Sequence, residues 1–250
     1  MTTVAKQKKE TFFQRIARNW KTNPMFSTGC VLVLMIIVQT IALGFGAWLQ
    51  RWGKNWINIL RNNAGVGIVA LGMTFVIISG GIDLAVGSTM VAIGAVLMVI
   101  INGYPAGLLT AVGITGVPAY LIGILAAVLV GCLIGAINGT LIARSKLPAF
   151  IATLGTMMVS QGFGSIISNV RTMHYSPTYV GDWFRPVFYI SGNFPVGAIW
   201  LLGAFVIAAF VLNKTRLGRY NFAIGSNEEA ARLSGVKTDR WKIAIYAICG

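Results

Sequence analysis

Charged residues are scarce in this sequence, and acidic ones are the scarcest. Of 250 residues, 6 are Asp or Glu and 20 are Lys or Arg, whereas 56% are hydrophobic. A typical soluble domain carries about a quarter charged residues, so this chain has too few to cover the surface of a soluble globule. The composition therefore excludes an ordinary soluble protein.

Residues that build disulfide or metal sites are also few. The three cysteines, Cys30, Cys132 and Cys249, lie in apolar runs, and their odd number argues against a disulfide framework. His174 is the one histidine, so no Cys/His cluster exists for a structural metal. We predict buried apolar cysteines and no metal site.

Catalytic motifs are missing as well. Gly precedes Lys only at Gly53, where Asn55 follows, so there is no G-K-[ST] sequence and no phosphate-binding P-loop. Neither the H-E-x-x-H zinc motif nor the G-x-S-x-G nucleophile motif occurs. We predict no catalytic residue and no enzyme activity in this chain.

Basic charge is in excess, with a formal net charge of +14. A nucleic-acid-binding domain displays its basic residues on a folded polar face, which a largely uncharged chain cannot offer. Basic loops between membrane spans account better for this excess. We therefore predict a lipid-bilayer protein with no nucleic-acid partner.

Long uncharged stretches predict the membrane spans, because a charge at the bilayer centre costs about 2.5 to 3.5 kcal/mol. These stretches are residues 22–50, 62–82, 84–143, 147–170, 186–213 and 243–250. Glycines and prolines interrupt the long third stretch, which predicts one helix over 86–101 and another over 119–143. The sequence thus predicts an all-α polytopic membrane protein with about six complete transmembrane helices and an incomplete seventh.

Basic residues predict the orientation, since they collect on the cytoplasmic side. A cytoplasmic N-terminus places fifteen of the 20 basic residues inside the cell: those of the tail, of the turn 144–146 and of the loop 214–242. We therefore expect a basic cytoplasmic tail at 1–24 and a multi-pass transmembrane domain at 25–250. The long aromatic loop 171–194 would lie outside, and the domain is expected to be incomplete at its C-terminal end.

Glycines and one acid separate two apolar segments at residues 79–88. Gly80, Gly81 and Gly87 permit non-helical backbone, which is tolerated at membrane depth only where protein or a water-filled cavity satisfies it. The segment predicts a broken helix over 80–88 that faces the interior. Asp83 either caps the following helix or contacts substrate or a proton, and Ser79 would lie beside it.

Two further segments carry candidates for a substrate pathway. Small residues recur at every fourth position through Ala119, Gly123, Ala127, Gly131, Gly135 and Gly139, which favours close helix packing or a smooth pathway wall. Asn138 beside this stripe either bonds a neighbouring helix or lines the pathway. The same two alternatives hold for Thr153, Thr156 and Gln161, which make their helix unusually polar.

A short helix is predicted within the loop 214–242. Ser226 and Glu229 have the spacing of a capping box, and Gly235 can end the helix. A helix of about eight residues is unstable alone in water. It therefore packs on its own membrane domain or in the groove of a cytoplasmic partner.

Three blocks of this sequence resemble the ribose-type permease subunits of bacterial ATP-binding-cassette sugar importers. The first block is Gly-Gly-Ile-Asp-Leu-Ala-Val-Gly-Ser at 80–88. The second combines Ile-Asn-Gly at 137–139 with Pro-Ala-Phe-Ile-Ala-Thr-Leu-Gly at 148–155. The third is Thr-Arg-Leu-Gly-Arg-Tyr at 215–220, continuing to Gly235-Val236. The resemblance extends from about residue 58 to residue 250. Family members continue with further membrane helices, so a truncated or partly represented chain is expected.

The resemblance implies a permease domain of the bacterial cytoplasmic (inner) membrane that imports a monosaccharide. Its implied partners are cytoplasmic ATPase subunits, a second permease subunit in a homo- or heterodimer, and an extracytoplasmic sugar-binding protein. ATP and Mg would bind the ATPase subunits. This chain itself would bind no cofactor. The implied coupling helix comprises Ser226, Asn227, Glu228, Glu229, Ala230, Ala231, Arg232 and Gly235.

Two other functions are compatible with the same residues. Asp83 in a broken helix would also suit a proton-coupled secondary transporter or channel. A noncatalytic membrane assembly subunit would associate stably without moving solute.

Overall fold

A computed structural model of the chain describes residues 20, 24–101, 108–170 and 194–250. These residues form nine α-helices and a short 3-10 turn, with no β-strand among them. The helices are α1 (Pro24–Leu43), α2 (Phe45–Ile78), α3 (Val86–Ile101), α4 (Gly116–Ala143), α5 (Ala149–Ile167), α6 (Val196–Lys214), α7 (Arg216–Ser226), α8 (Glu228–Leu233) and α9 (Thr238–Cys249).

Most of the predicted spans are present as helices. Five of the described helices, α1, α2, α4, α5 and α6, are long and apolar enough to cross a membrane, and α3 is a shorter apolar helix. The polytopic helical fold is therefore confirmed. The helix expected from residue 243 is α9, which begins at Thr238.

The structure corrects one predicted break. The gap between the predicted spans 22–50 and 62–82 contains Arg51, Lys54 and Arg61, but these residues lie inside α2. Lys and Arg are good helix formers, so a charge marks an unfavourable membrane depth without ending a helix. The break falls instead at Gly44, whose φ of +77° is left-handed.

The chain divides into two compact units, Met1–Trp56 and Ile57–Gly250. In the first unit, the spanning part of α1 has no buried residue. Trp48, Trp52 and Trp56 follow one another along α2 with ring centroids 4.5 and 5.6 Å apart. Such an aromatic run is typical of a membrane–water boundary.

Close helix packing organises the second unit. The most extensive pairing joins α9 to α4, and α3 packs on α5 and α4. A Cβ at Gly139 would lie 2.6 Å from the Cα of Ile243, and one at Gly135 would meet the carbonyl of Tyr246. The small residues of α4 therefore admit the α9 backbone, as the packing interpretation predicts.

Several segments meet at one end of the second unit. The Nζ of Lys146 lies 3.2 Å from the Oδ1 of Asp239, and the Asn221 amide donates a 2.9 Å hydrogen bond to the carbonyl of Phe75. The α4–α5 turn and the 214–242 loop therefore share a side, as the charge pattern predicts. Most of the tail 1–24 and all of 171–193 lie outside the described residues, so the N-terminal side and those boundaries stay predictions.

Candidate functional site

The broken helix begins with a glycine-terminated end of α2. Gly80 adopts a left-handed φ of +77°, its N–H donates to the carbonyl of Ile77, and the Gly81 N–H donates to that of Val76, both at 3.0 Å. This pair of bonds is a Schellman motif, which satisfies the last carbonyls of a helix. Ser79 is buried there, and its hydroxyl donates to the Val76 carbonyl.

Asp83 lies three residues before the next helix, α3. Its Oδ1 accepts a 2.8 Å hydrogen bond from the backbone N–H of Ala85, directly before α3. The bond closes a turn ahead of α3: the carboxylate takes the N–H of the residue before the helix, and not one of the first N–H groups of the helix itself. Gly87, expected to be part of the break, is instead helical in the first turn of α3, and a Cβ there would meet nothing within 4 Å.

A cavity of about 530 Å³ lies beside the broken segment. Residues from α2, α3, α4, α6 and α9 form its wall, and most of them are apolar. They include Phe75, Met90, Ile93, Ala204, Ile207 and Ile248.

Three buried polar side chains reach this cavity from three places in the chain. Asp83 comes from the broken segment, Thr89 from α3 and Asn138 from α4, and they are 5%, 4% and 1% exposed. The Oδ1 of Asn138 accepts no hydrogen bond from any described residue. A buried acceptor without a donor costs about 1–3 kcal/mol, so this oxygen, which is itself closed off from solvent, does not stabilise the packing of α4.

The described part of the cavity wall carries an acidic side chain and no basic one. Among the described residues, Asp83 is its only carboxylic acid, and no Lys, Arg or His lines it. A solute carboxylate or phosphate would meet this acid without a counter-charge. The described part of the wall thus offers one carboxyl, one hydroxyl and one amide side chain.

The other predicted pathway residues do not line this cavity. Thr153 and Thr156 donate their hydroxyl protons to carbonyls four residues earlier in α5, those of Ala149 and Ala152. Thr156 lines a separate apolar groove between α4 and α5, and Gln161 is exposed. The polar face of α5 is thus satisfied mainly within its own helix, while Thr89, which the sequence analysis missed, belongs to the cavity.

The short helix is present as α8, with a different cap from the one predicted. Ser226 is the last residue of α7, and Asn227 is the N-cap, its side chain accepting a 2.9 Å hydrogen bond from the Ala230 N–H. Because Ser226 still belongs to the preceding helix, it cannot start the next one. Gly235 has a φ of +85° and ends α8 as predicted.

An ion pair and a buried alanine hold α8 against the rest of the unit. The Nζ of Lys242 lies 2.6 Å from the Oε2 of Glu228, and Ala231 is buried. The outer face carries Leu233, which is 80% exposed, and Glu229, whose carboxylate accepts a 2.6 Å hydrogen bond from Arg232. That bond, together with the charge of Glu229, raises the pKa of the Arg232 guanidinium above its ordinary value.

The helices around α8 touch the broken segment directly. In α7, a Cβ at Gly225 would meet the carbonyl of Ile78. In α9, the buried Tyr246 donates a 3.2 Å hydrogen bond to the carbonyl of Ile82, the residue before Asp83. No sequence pattern indicates these links, because they join residues more than 140 positions apart.

Comparisons with known proteins agree with this architecture. The family model described as "Branched-chain amino acid transport system / permease component" matches residues 55–250. The chain is 35% identical to the ribose import permease protein RbsC of Escherichia coli (strain K12), over 88% of the chain and 63% of that relative. It is 37% identical to RbsC of Bacillus subtilis (strain 168), over 90% of the chain and 65% of the relative.

A third relative is the fructose import permease protein FrcC of Rhizobium meliloti, 32% identical over 96% of the chain and 64% of the relative. The chain thus spans about two thirds of the length of these curated relatives. No solved structure matches it. The matched residues contain the broken helix, the cavity and α8, and the chain belongs to the family of transport permease components that this model describes.

Proposed function

We propose that this chain is the permease subunit of an ATP-binding-cassette importer that carries a small hydrophilic solute, most simply a monosaccharide, across the bacterial cytoplasmic membrane. The observation that carries the proposal is the direct connection between α8 and the cavity. α8 presents an exposed face, its flanking helices contact the broken segment, and that segment supplies Asp83 to the cavity wall.

The connection supports transport driven by a partner. A motor that moves α8 would displace α9 through the Glu228–Lys242 pair and through their packing. Tyr246 of α9 is bonded to Ile82, so the displacement would reach the cavity wall. Interfaces and packed helices transmit such shifts because they are not continuously deformable.

The cavity wall supports a sugar over an amino acid. An amino acid at neutral pH carries a carboxylate, and the wall offers it no cation. A neutral sugar needs hydrogen-bond partners for its hydroxyl groups, and the side chains of Asp83, Thr89 and Asn138 can supply them. The names of the relatives, which are ribose and fructose import permeases, point the same way.

The proposed assembly contains cytoplasmic ATPase subunits that bind ATP and Mg, a second permease subunit and an extracytoplasmic sugar-binding protein. The N-terminus would lie in the cytoplasm. Contact with the ATPase is assigned to α8 and its caps, comprising Asn227, Glu228, Glu229, Ala230, Ala231, Arg232 and Gly235, with Ser226 at the preceding helix end. Asp83 and Asn138 are assigned to the solute pathway.

Co-purification of the ATPase from membranes tests this assignment. Glu229→Arg places a cation at the start of α8, where the helix dipole disfavours it, and it removes the carboxylate from the exposed face. We expect the ATPase to be lost while the permease still folds and inserts. Asp239→Arg is the matched control, because it makes the same charge change at another exposed acid that lies outside α8, and it should retain the ATPase.

Two outcomes would contradict the proposal. If no ATPase co-purifies with the unaltered chain, the proton-coupled or assembly-subunit function takes precedence. If both variants lose the ATPase equally, α8 is not the docking element.

A further inference from the structure

A basic groove with a volume of about 390 Å³ lies between α7 and α9, apart from the cavity. Arg216, Lys237 and Arg240 line it, and all three are exposed. None of them makes an ion pair with a described residue, whereas Lys146, Arg232 and Lys242 each have a carboxylate partner. The groove therefore carries three positive charges that this part of the chain does not neutralise.

Aromatic and apolar residues complete the wall. The rings of Tyr220 and Trp241 lie 4.9 Å apart, centroid to centroid, at an interplanar angle of 50°. Val236 and Ala244 add apolar surface. An anion with an attached apolar part fits this combination better than a free ion does, because the walls beside the cations are not polar.

The position of the groove indicates its depth in the membrane. α6, which is long and apolar enough to span, ends at Lys214, two residues before Arg216. α9 becomes continuously apolar from Ile243, two residues after Trp241. The groove thus lies where the sequence changes from apolar to polar, at the level of the lipid headgroups. Tyr and Trp are enriched at this level of membrane proteins.

We propose that this groove binds the phosphate-bearing headgroup of an anionic phospholipid. Arg216 and Arg240 approach from different helices, and a guanidinium can pair with two phosphate oxygens at once. The aromatic pair contacts the glycerol region, and Ala244, next to the apolar run that begins at Ile243, lies beside the start of the acyl chains. Basic pockets at the ends of membrane helices bind anionic headgroups in this way. The site uses none of the residues assigned to the solute pathway, and it shares only Gly235 with the residues assigned to the ATPase contact.

Native mass spectrometry of the full chain, with equal amounts of phosphatidylglycerol and phosphatidylcholine, tests the proposal. We expect preferential retention of phosphatidylglycerol by the unaltered chain. The double substitution Arg216→Gln and Arg240→Gln should lower that retention about tenfold or more, as the loss of two headgroup cations predicts. The matched control is Lys214→Gln with Arg219→Gln, which removes the same charge from exposed positions outside the groove and should change retention less than about twofold.

Equal losses in the two double variants would overturn the site, because the lipid would then respond only to overall charge. Displacement of the lipid by inorganic phosphate at equal concentration would overturn the assignment to a lipid.

Cross-linking of the unaltered chain gives a test that no folding defect can obscure. A phosphatidylglycerol with a photoactivatable headgroup should label peptides that contain residues 216–220 and 236–244. Labelling confined to other segments would contradict the proposal.

Discussion

Asp83 makes two contacts that bear on the roles that the sequence alone left as alternatives. Its Oδ1 bonds the Ala85 N–H ahead of α3, and the residue also lies in the cavity wall. Capping needs an acceptor oxygen, which Asn supplies as well as Asp. Proton transfer needs a carboxyl group that titrates, which Asn does not supply.

Replacing Asp83 separates these roles. Asp83→Asn keeps the acceptor for Ala85, so we expect uptake to stay within about threefold of the unaltered chain. Asp83→Leu removes the acceptor and should cost about 0.5–2 kcal/mol of stability together with most of the uptake. Solute uptake by membrane vesicles and thermal unfolding measure the two effects. Loss of all uptake in Asp83→Asn would favour proton coupling.

Asn138 is expected to serve the solute more than the fold. Asn138→Leu has a similar volume and removes a buried acceptor that no described residue satisfies, so stability should stay constant or rise by up to about 1 kcal/mol. Uptake should fall about tenfold, as the loss of one hydrogen bond to the solute predicts. A loss of stability that parallels the loss of uptake would show instead that Asn138 supports the packing of α4.

At the scale of elements, glycines set where helices end and how closely they approach. Gly80 and Gly235 each place a left-handed residue just past a helix, after α2 and α8. Gly135 and Gly139 admit the backbone of α9 to the surface of α4. Glycine thus follows the ends of α2 and α8, and it allows α4 and α9 to pack closely.

The α4–α9 contact should not tolerate a side chain at Gly135. Gly135→Leu would drive the side chain into the Tyr246 carbonyl, which is backbone and cannot rotate away. We expect a loss of about 1–3 kcal/mol or more, measured by thermal unfolding in detergent. Gly162→Ala is the control, since a Cβ there meets nothing within 4 Å, and it should be neutral or slightly stabilising. Equal stability of both variants would mean that α4 and α9 do not pack as described.

For the whole molecule, the proposed function predicts the energy source of transport. Because α8 is linked to the cavity through α9, and the chain has no P-loop of its own, uptake should depend on ATP bound by a partner. In cells that express the complete transporter, ATP depletion should abolish sugar uptake, whereas a protonophore applied at constant ATP should leave most of it. The opposite pattern would identify a proton-coupled transporter.

Composition and charge were sufficient to predict much of this protein. The shortage of charges indicated a helical membrane protein, the uncharged stretches located most of the long apolar helices but not the true start of α2, and the Gly-Gly-Ile-Asp block marked the broken helix. These features are predictable because burial in lipid penalises charge at each position separately, and because a left-handed turn favours glycine locally. The family resemblance, which rests on contiguous blocks, was confirmed by the match over residues 55–250.

Other features depended on tertiary contacts. Ser226 and Asn227 are both good caps, and only the end of α7 decided that Asn227 begins α8. Thr89, Asn138 and Thr153 are all polar residues in apolar helices, yet two of them face the cavity and the third bonds its own helix. The sequence by itself determined that long apolar segments form membrane helices and that the backbone breaks at Gly80 and Gly81, since both follow from local chemistry, whereas it did not locate the break at Gly44. Tertiary structure decided which polar side chains meet and how α8 connects to them, because those contacts join residues far apart in the chain.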